Sequence, residues 1–121
     1  KIELEIAFER FDPRSNDYAY CEWEFENHKS RDFIISINKH LGKKQMLIAL
    51  AHEMVHVKQY AYDELNCEMT LWRGKKVDPD KIPYAQQPWE IEAWTKGDKL
   101  YRSFMNGHVR LCALQRPRIS N

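Results

Sequence analysis

The stretch Lys43–Leu65, KKQMLIALAHEMVHVKQYAYDEL, decides how the rest of the chain is organised. Its apolar residues Leu47, Leu50, Met54, Val57, Ala61 and Leu65 recur at intervals of three and four, as on one face of an α-helix. The spacing predicts a helix over residues 43–65 with that stripe buried. Within it, His52, Glu53 and His56 form the pattern H-E-x-x-H. On a helix His52 and His56 project about 40° apart and one turn along, so both imidazoles can reach one ion. Their face lies about 140–180° from the apolar stripe. Two core histidines would sit with the stripe instead, and two solvated ones would not share their face with Ile48 and Tyr60. Five His and eleven Glu in 121 residues give roughly 0.02 accidental matches to this pattern, so coincidence is a poor explanation.

Upstream of residue 43 the period is two. In Ile2–Phe8, IELEIAF, Ile2, Leu4, Ile6 and Phe8 face one way and Glu3, Glu5 and Ala7 the other. The turn-rich DPRSND (Asp12–Asp17) separates this strand from YAYCEWEFEN, where Cys21, Trp23 and Phe25 alternate with Glu22, Glu24 and Glu26. After the polar NHKS, Phe33–Asn38 (FIISIN) reads as a third strand. Short connections predict a three-stranded antiparallel sheet over residues 1–42 with one glutamate-rich, solvated face.

Downstream, residues 66–87 read as an irregular loop containing RGKK and DPDKIP, long enough to be functional. Pro88 suits the first turn of a second helix over residues 88–106, with Gly107 as its stop and residues 107–121 as a tail. The expected fold class is therefore α+β in a single domain: an antiparallel sheet, the H-E-x-x-H helix, a loop and a glutamate-bearing helix.

Composition excludes several classes. The chain is 43% hydrophobic and 31% charged, which suits a globular domain rather than a disordered one. No apolar run approaches the roughly 20 residues of a membrane span, and no signal-peptide pattern stands at the start of residues 1–121. Cys21, Cys67 and Cys112 are odd in number and far apart, which predicts free thiols in a reducing, cytoplasmic compartment. A net charge of +1 gives no general pull toward nucleic acid. The charge is uneven: residues 1–42 hold six Lys/Arg against nine Asp/Glu, and residues 43–121 thirteen against nine.

Catalytic zinc sites usually take three protein ligands and leave one position open. The second helix offers Glu90 and Glu92. On the helical wheel Glu90 falls with Ala93, Gly97, Tyr101 and Phe104, the packed side, whereas Glu92 falls with Thr95, Lys96, Lys99 and Ser103, the solvent side. A carboxylate on a packed face needs a partner, because an unpaired buried charge is costly. Zn2+ would supply one, so Glu90 is the expected third ligand and Glu92 the expected solvated charge. Gly97 lowers helix propensity, and close approach of the two helices would explain it.

AHEMVHVKQY (Ala51–Tyr60) followed by QPWEIEAW (Gln87–Trp94) resembles the small gluzincin-type metallopeptidases, especially the minigluzincins and SprT-like domains of tailed phages and prokaryotes. The resemblance spans roughly residues 31–106 in element order, with its specific letters in the two helices. It implies a zinc endopeptidase with His52, His56 and Glu90 as ligands and Glu53 as general base. It also implies a peptide or protein substrate, which would add as a strand to Phe33–Asn38 if that segment is the sheet edge. Gluzincins often place an aspartate four residues after the ligand glutamate; here Trp94 stands there, so the groups supporting His52 and His56 are unassigned. A histidine third ligand, as in SprT relatives, makes His108 an alternative. Tyr84, Tyr101, His108 and Arg73 are candidates for stabilising the oxyanion.

Two other classes compete: a non-catalytic zinc-binding module, and a DNA-associated SprT-like protease with Lys75, Lys76, Lys81, Arg110, Arg116 and Arg118 as its footprint. The minigluzincin resemblance also implies a tail that blocks the cleft through His108 or Cys112. Packing of Leu111 and Leu114 on the helices is the simpler role for that segment.

Overall fold

The computed structural model describes residues 2–26 and 29–115 in backbone, with no description of the side chains of residues 24–31 or of those beyond Gly107. The chain is α+β. Three strands, β1 (Glu3–Glu9), β2 (Ala19–Glu26) and β3 (Lys29–Asn38), precede helix α1 (Lys43–Ala61). A two-stranded hairpin of β4 (Leu71–Trp72) and β5 (Lys75–Lys76) and two single 3₁₀ turns lead to helix α2 (Pro88–Gln115). Among the described residues no helix is long and apolar enough to cross a membrane.

The sheet is mixed, not antiparallel. Its order is β1-β3-β2: β2 and β3 form an antiparallel hairpin, but β1 runs parallel to β3, with Glu3 opposite Asp32 and Glu9 opposite Asn38. Alternation specifies which residues share a face of a strand and carries no information about strand direction, which is why the pattern misled. Residues 10–18 carry the chain from one edge of the sheet to the other. The segment Phe33–Asn38 is therefore central, with both of its edges already paired. A substrate cannot add to it, and the expectation of strand addition at residues 33–38 is corrected.

Paired residues point to the same side, so Leu4, Phe33 and Trp23 form one row facing α1, and Ile6, Ile35 and Cys21 the next. Phe33, Ile35 and Ile37 are buried and, with Val57, Tyr60, Leu65, Trp72 and Trp89, make the core. Tyr60 stacks on Trp23 at 4.2 Å between ring centres. Helix α1 lies across β2 and β3, and neither helix packs extensively on β1. Ile2, Leu4, Ile6 and Phe8 are consequently exposed although they share the core-facing side.

Helix α1 ends at Ala61, four residues earlier than its pattern suggests, because Asp63 adopts a left-handed φ of 56°. Leu65 still reaches the core, through a bridge to Trp72. The apolar stripe of α1 is also less buried than its period implies. Leu47, Leu50 and Met54 are half-buried, while Ala49, His52, Glu53, His56, Gln59 and Tyr60 are buried. The helix is pinched between the sheet and α2, and the polar face lies in the seam. Within residues 66–87, RGKK is ordered as a hairpin. Arg73 and Gly74 have φ of 49° and 82°, and two consecutive positive values are what a type I′ turn requires. Helix α2 runs through Gly107 to Gln115 rather than stopping at residue 106. The backbone of residues 107–115 is thus helix and not tail, and the roles considered for His108 and Cys112 fall on side chains outside the description, as does the rest of residues 116–121.

Candidate metal centre

The centre is built where α2 crosses α1. Ala93 and Gly97 stand one turn apart on α2 and are both buried. A Cβ on Gly97 would lie 3.1 Å from the Cα and the N of His52, so the missing side chain is what lets the two backbones approach. Pro88 opens α2 and places Glu90 in its first turn, where the helix dipole favours a carboxylate. Trp89, fully buried beside it, fixes the orientation of that turn.

Three atoms converge there. His52 Nε2 lies 3.0 Å from Glu90 Oε1, His56 Nε2 lies 3.1 Å from the same oxygen, and the two Nε2 atoms are 3.2 Å apart. A tetrahedral ion with bonds of about 2.0–2.1 Å holds its ligand atoms about 3.3–3.4 Å apart, so the triangle needs only slight expansion. Glu53 adjoins it: the ligand atoms of His52, Glu53 and His56 all lie within 4.8 Å of one another, and this buried group can hold a metal ion. The larger span reflects the position of Glu53 beside the triangle; the tighter set of His52, His56 and Glu90 matches first-sphere distances better.

The electrostatics divide the carboxylates. Burial raises the pKa of Glu53, and the two histidines only partly oppose it. Burial also raises Glu90, but hydrogen bonds from His52 and His56, the His56 charge and the Tyr84 hydroxyl outweigh it and hold the group at about 2. Burial lowers His56, and its bonds to Glu90 and Gln59 outweigh that and raise it. Glu90 is thus an anionic acceptor, and Glu53 is the carboxyl disposed to take up a proton.

Glu92 is not solvated. Its side chain is 10% exposed and faces Arg73, Lys58 and Lys96, and it accepts a hydrogen bond from Gln59 Nε2 at 3.1 Å. The wheel placed it with Lys96 correctly but took no account of α1 and the β4–β5 hairpin, which cover that side. Burial raises its carboxyl, but Gln59, Lys96 and the charges of Lys58 and Arg73 hold it below the usual range.

Sequence reasoning missed Gln59, which is fully buried and bonded to His56 Nδ1 at 2.8 Å. Its spacing of three from His56 was the available signal. His52 has no equivalent support among the described residues: its buried Nδ1 has no hydrogen-bond partner there, and its ring lies against Trp94, 4.2 Å between centres. Trp94 therefore supports His52 by contact where an aspartate would do so by hydrogen bonding.

Two adjoining cavities of about 350 and 270 Å³ flank the histidines and share Asp17, Ala19, His52, Glu53 and Tyr84 on their walls. Tyr84 donates to Glu90 Oε1 at 2.9 Å. Of the other oxyanion candidates, Arg73 turns to Glu64 and Glu92, Tyr101 lines a groove with Leu47 and Leu50, and His108 lies outside the described side chains. Cys21, half-buried and free, lines the smaller cavity, and burial with the charges of Glu53 and Glu22 pushes its thiol up to about 12. Cys67 is also free. Lys75 and Lys76 are exposed on β5 and Lys81 lies 3.9 Å from Asp78, while the side chains of Arg110, Arg116 and Arg118 lie outside the description. No protein-family model matches the chain, and neither a curated protein nor a solved structure is significantly similar to it.

Proposed function

We propose that the chain is a zinc-dependent metallopeptidase of gluzincin type, with His52, His56 and Glu90 as zinc ligands and Glu53 as general base. The observation that carries this reading is the triangle of two imidazole nitrogens and one carboxylate oxygen, 3.0–3.2 Å on each edge, with a second carboxylate beside it. Structural zinc sites are closed by four protein ligands, usually with thiolates. A two-histidine, one-carboxylate set opening onto a cleft supports a catalytic site over a non-catalytic module.

Bound zinc supplies Lewis acidity, polarising a water and the scissile carbonyl. The chain's own residues do the rest. Glu53, with its raised affinity for protons, takes one from the attacking water as the new C–O bond forms. It passes that proton to the departing amine as the C–N bond breaks, leaving a carboxylic acid and an amine. Of the tyrosines that line the two cavities, Tyr84 borders both and bonds to Glu90, and rotation away from Glu90 would let it donate to the developing oxyanion. The substrate edge is assigned to β2 in place of the central strand. Among the described residues one edge of β2 is unpaired, and Asp17–Cys21, where the strand begins, borders both cavities. An extended peptide pairing with it would pass over Glu53.

The test is metal content with turnover. Purified chain should bind one zinc and cleave an unfolded protein, and Glu53→Gln should keep the zinc and lose activity by orders of magnitude. Near wild-type turnover in that variant would sink the assigned base, and a wild-type chain inert to every peptide offered would remove the enzyme reading.

A further inference from the structure

We propose that Gln59 and Glu92 are positioning residues that select which nitrogen of His56 is offered to the metal. The inference rests on the reading of His56 as a ligand and adds a regulator of its geometry. Gln59 lies one turn beyond His56 on α1, is fully buried, and uses both ends of its amide. Its Nε2 donates to the Trp89 carbonyl at 2.9 Å and to Glu92 Oε1 at 3.1 Å. Neither acceptor can donate, so the amide cannot turn over without setting oxygen against oxygen. Its Oε1 must then face His56 Nδ1, which lies 2.8 Å away. Nδ1 must carry a proton, so in the neutral ring Nε2 is the nitrogen left to ligate a metal. The tautomer of His56 is thus dictated from α2.

Glu92 is itself held from a third element. Arg73, at the tip of the β4–β5 hairpin, pairs with it and packs over Trp72 at 4.5 Å, while Lys58 of α1 and Lys96 of α2 approach it at 3.5 and 3.3 Å. These contacts fix the carboxylate from several directions. Among the described residues His52 has nothing comparable, so the two histidines are prepared by different means: one by a hydrogen-bonded chain, the other by the face of Trp94.

The test uses the full chain and two readouts besides activity. Zinc affinity is measured against a competing chelator, and histidine side-chain N–H resonances are recorded on the zinc-loaded protein. Gln59→Glu places carboxylate against carboxylate and should weaken zinc binding about 10–100-fold, the usual cost of losing such support. Combining it with Glu92→Gln restores a donor between the two positions and should recover most of that loss. In wild type the His56 Nδ1–H should exchange slowly; in Gln59→Met it should exchange fast or vanish, with His52 unaffected. If Gln59 variants do not fold, Glu92→Ala, which removes one of the two acceptors that orient Gln59, should still speed that exchange. Unchanged affinity and exchange in folded variants would overturn the positioning role and leave the zinc site intact. A wild-type chain that binds no zinc would overturn both.

Discussion

Strand β1 and the histidine face of α1 each depart from their residue pattern, in opposite directions. On β1 the apolar Leu4 and Phe8 are 38% and 58% exposed, although their row partners Phe33 and Ile37 are 1% and 0% exposed. On α1 the polar His52, Glu53, His56 and Gln59 are buried, while Leu47 and Met54 are only half-buried. Periodicity tells which side chains share a side. Whether that side is covered depends on what lies over it, and α1 spans β2 and β3 without reaching β1. The uncovered apolar row forgoes burial energy but leaves no polar group unpaired. Burying four polar side chains is costly unless each is paired, and that cost is what makes the α1–α2 seam the informative region.

The contrast can be broken most directly at the metal. Glu90→Ala should lower zinc affinity by orders of magnitude, measured by chelator competition, and Glu92→Ala should lower it far less, since it acts only through Gln59. Equal losses would mean that the seam has no distinct ligand. Next comes the core. Ile35→Ala should cost about 2–5 kcal/mol in urea unfolding, as buried truncations do, and Ile6→Ala, its row partner, less than about 1 kcal/mol. Similar costs would show that β1 is covered in solution.

A finer test compares two glycines of α2. Gly97→Ala gains about 1 kcal/mol of helix propensity, but its Cβ meets the backbone of His52 at 3.1 Å, so a net loss of about 1 kcal/mol and weaker zinc binding are expected. Gly107→Ala, with nothing within 4 Å, should stabilise by up to about 1 kcal/mol. Thermal unfolding of both variants would show opposite signs. The smallest effect is in pH. Glu92 has a folded pKa below its unfolded one, so its contribution is present above the ordinary carboxylate range and is lost as pH falls through the lowered value. The stability gap between wild type and Glu92→Gln should narrow on acidification, and a constant gap would show that the charge of Glu92 is not used.

Much of the site was readable because it depends on local geometry. The i,i+4 spacing puts His52 and His56 on one helical face, and the wheel separates Glu90 from Glu92 within a single element. Gly97 could be read for the same reason, as a helix-weakening residue whose use is close approach. What could not be read depends on relations between elements. The direction of β1 leaves no trace in IELEIAF. The coverage of Glu92 requires knowing that Arg73 reaches it from the hairpin. Gln59 has the spacing of a partner for His56, but an amide on a helix is usually solvated, and only the Trp89 carbonyl and Glu92 give it a fixed orientation.

The parallel seat of β1 has a consequence for how the chain assembles. Strands β2 and β3 meet through a near-neighbour hairpin, with Glu26 opposite Lys29, whereas β1 must close a much longer loop to set Glu3 opposite Asp32. Loop-closure entropy makes the hairpin the earlier event and β1 the last strand to dock and the first to fray. Until it docks, β3 presents an open edge along FIISI, an uncharged, β-branched segment of the kind that templates intermolecular cross-β growth. Strand β1 closes that edge, and its face opposite Leu4, Ile6 and Phe8 carries Glu3, Glu5 and Glu9, whose like charges would repel those of a second copy aligned beside it. A strand that adds little to the core is thereby the chain's guard against self-association.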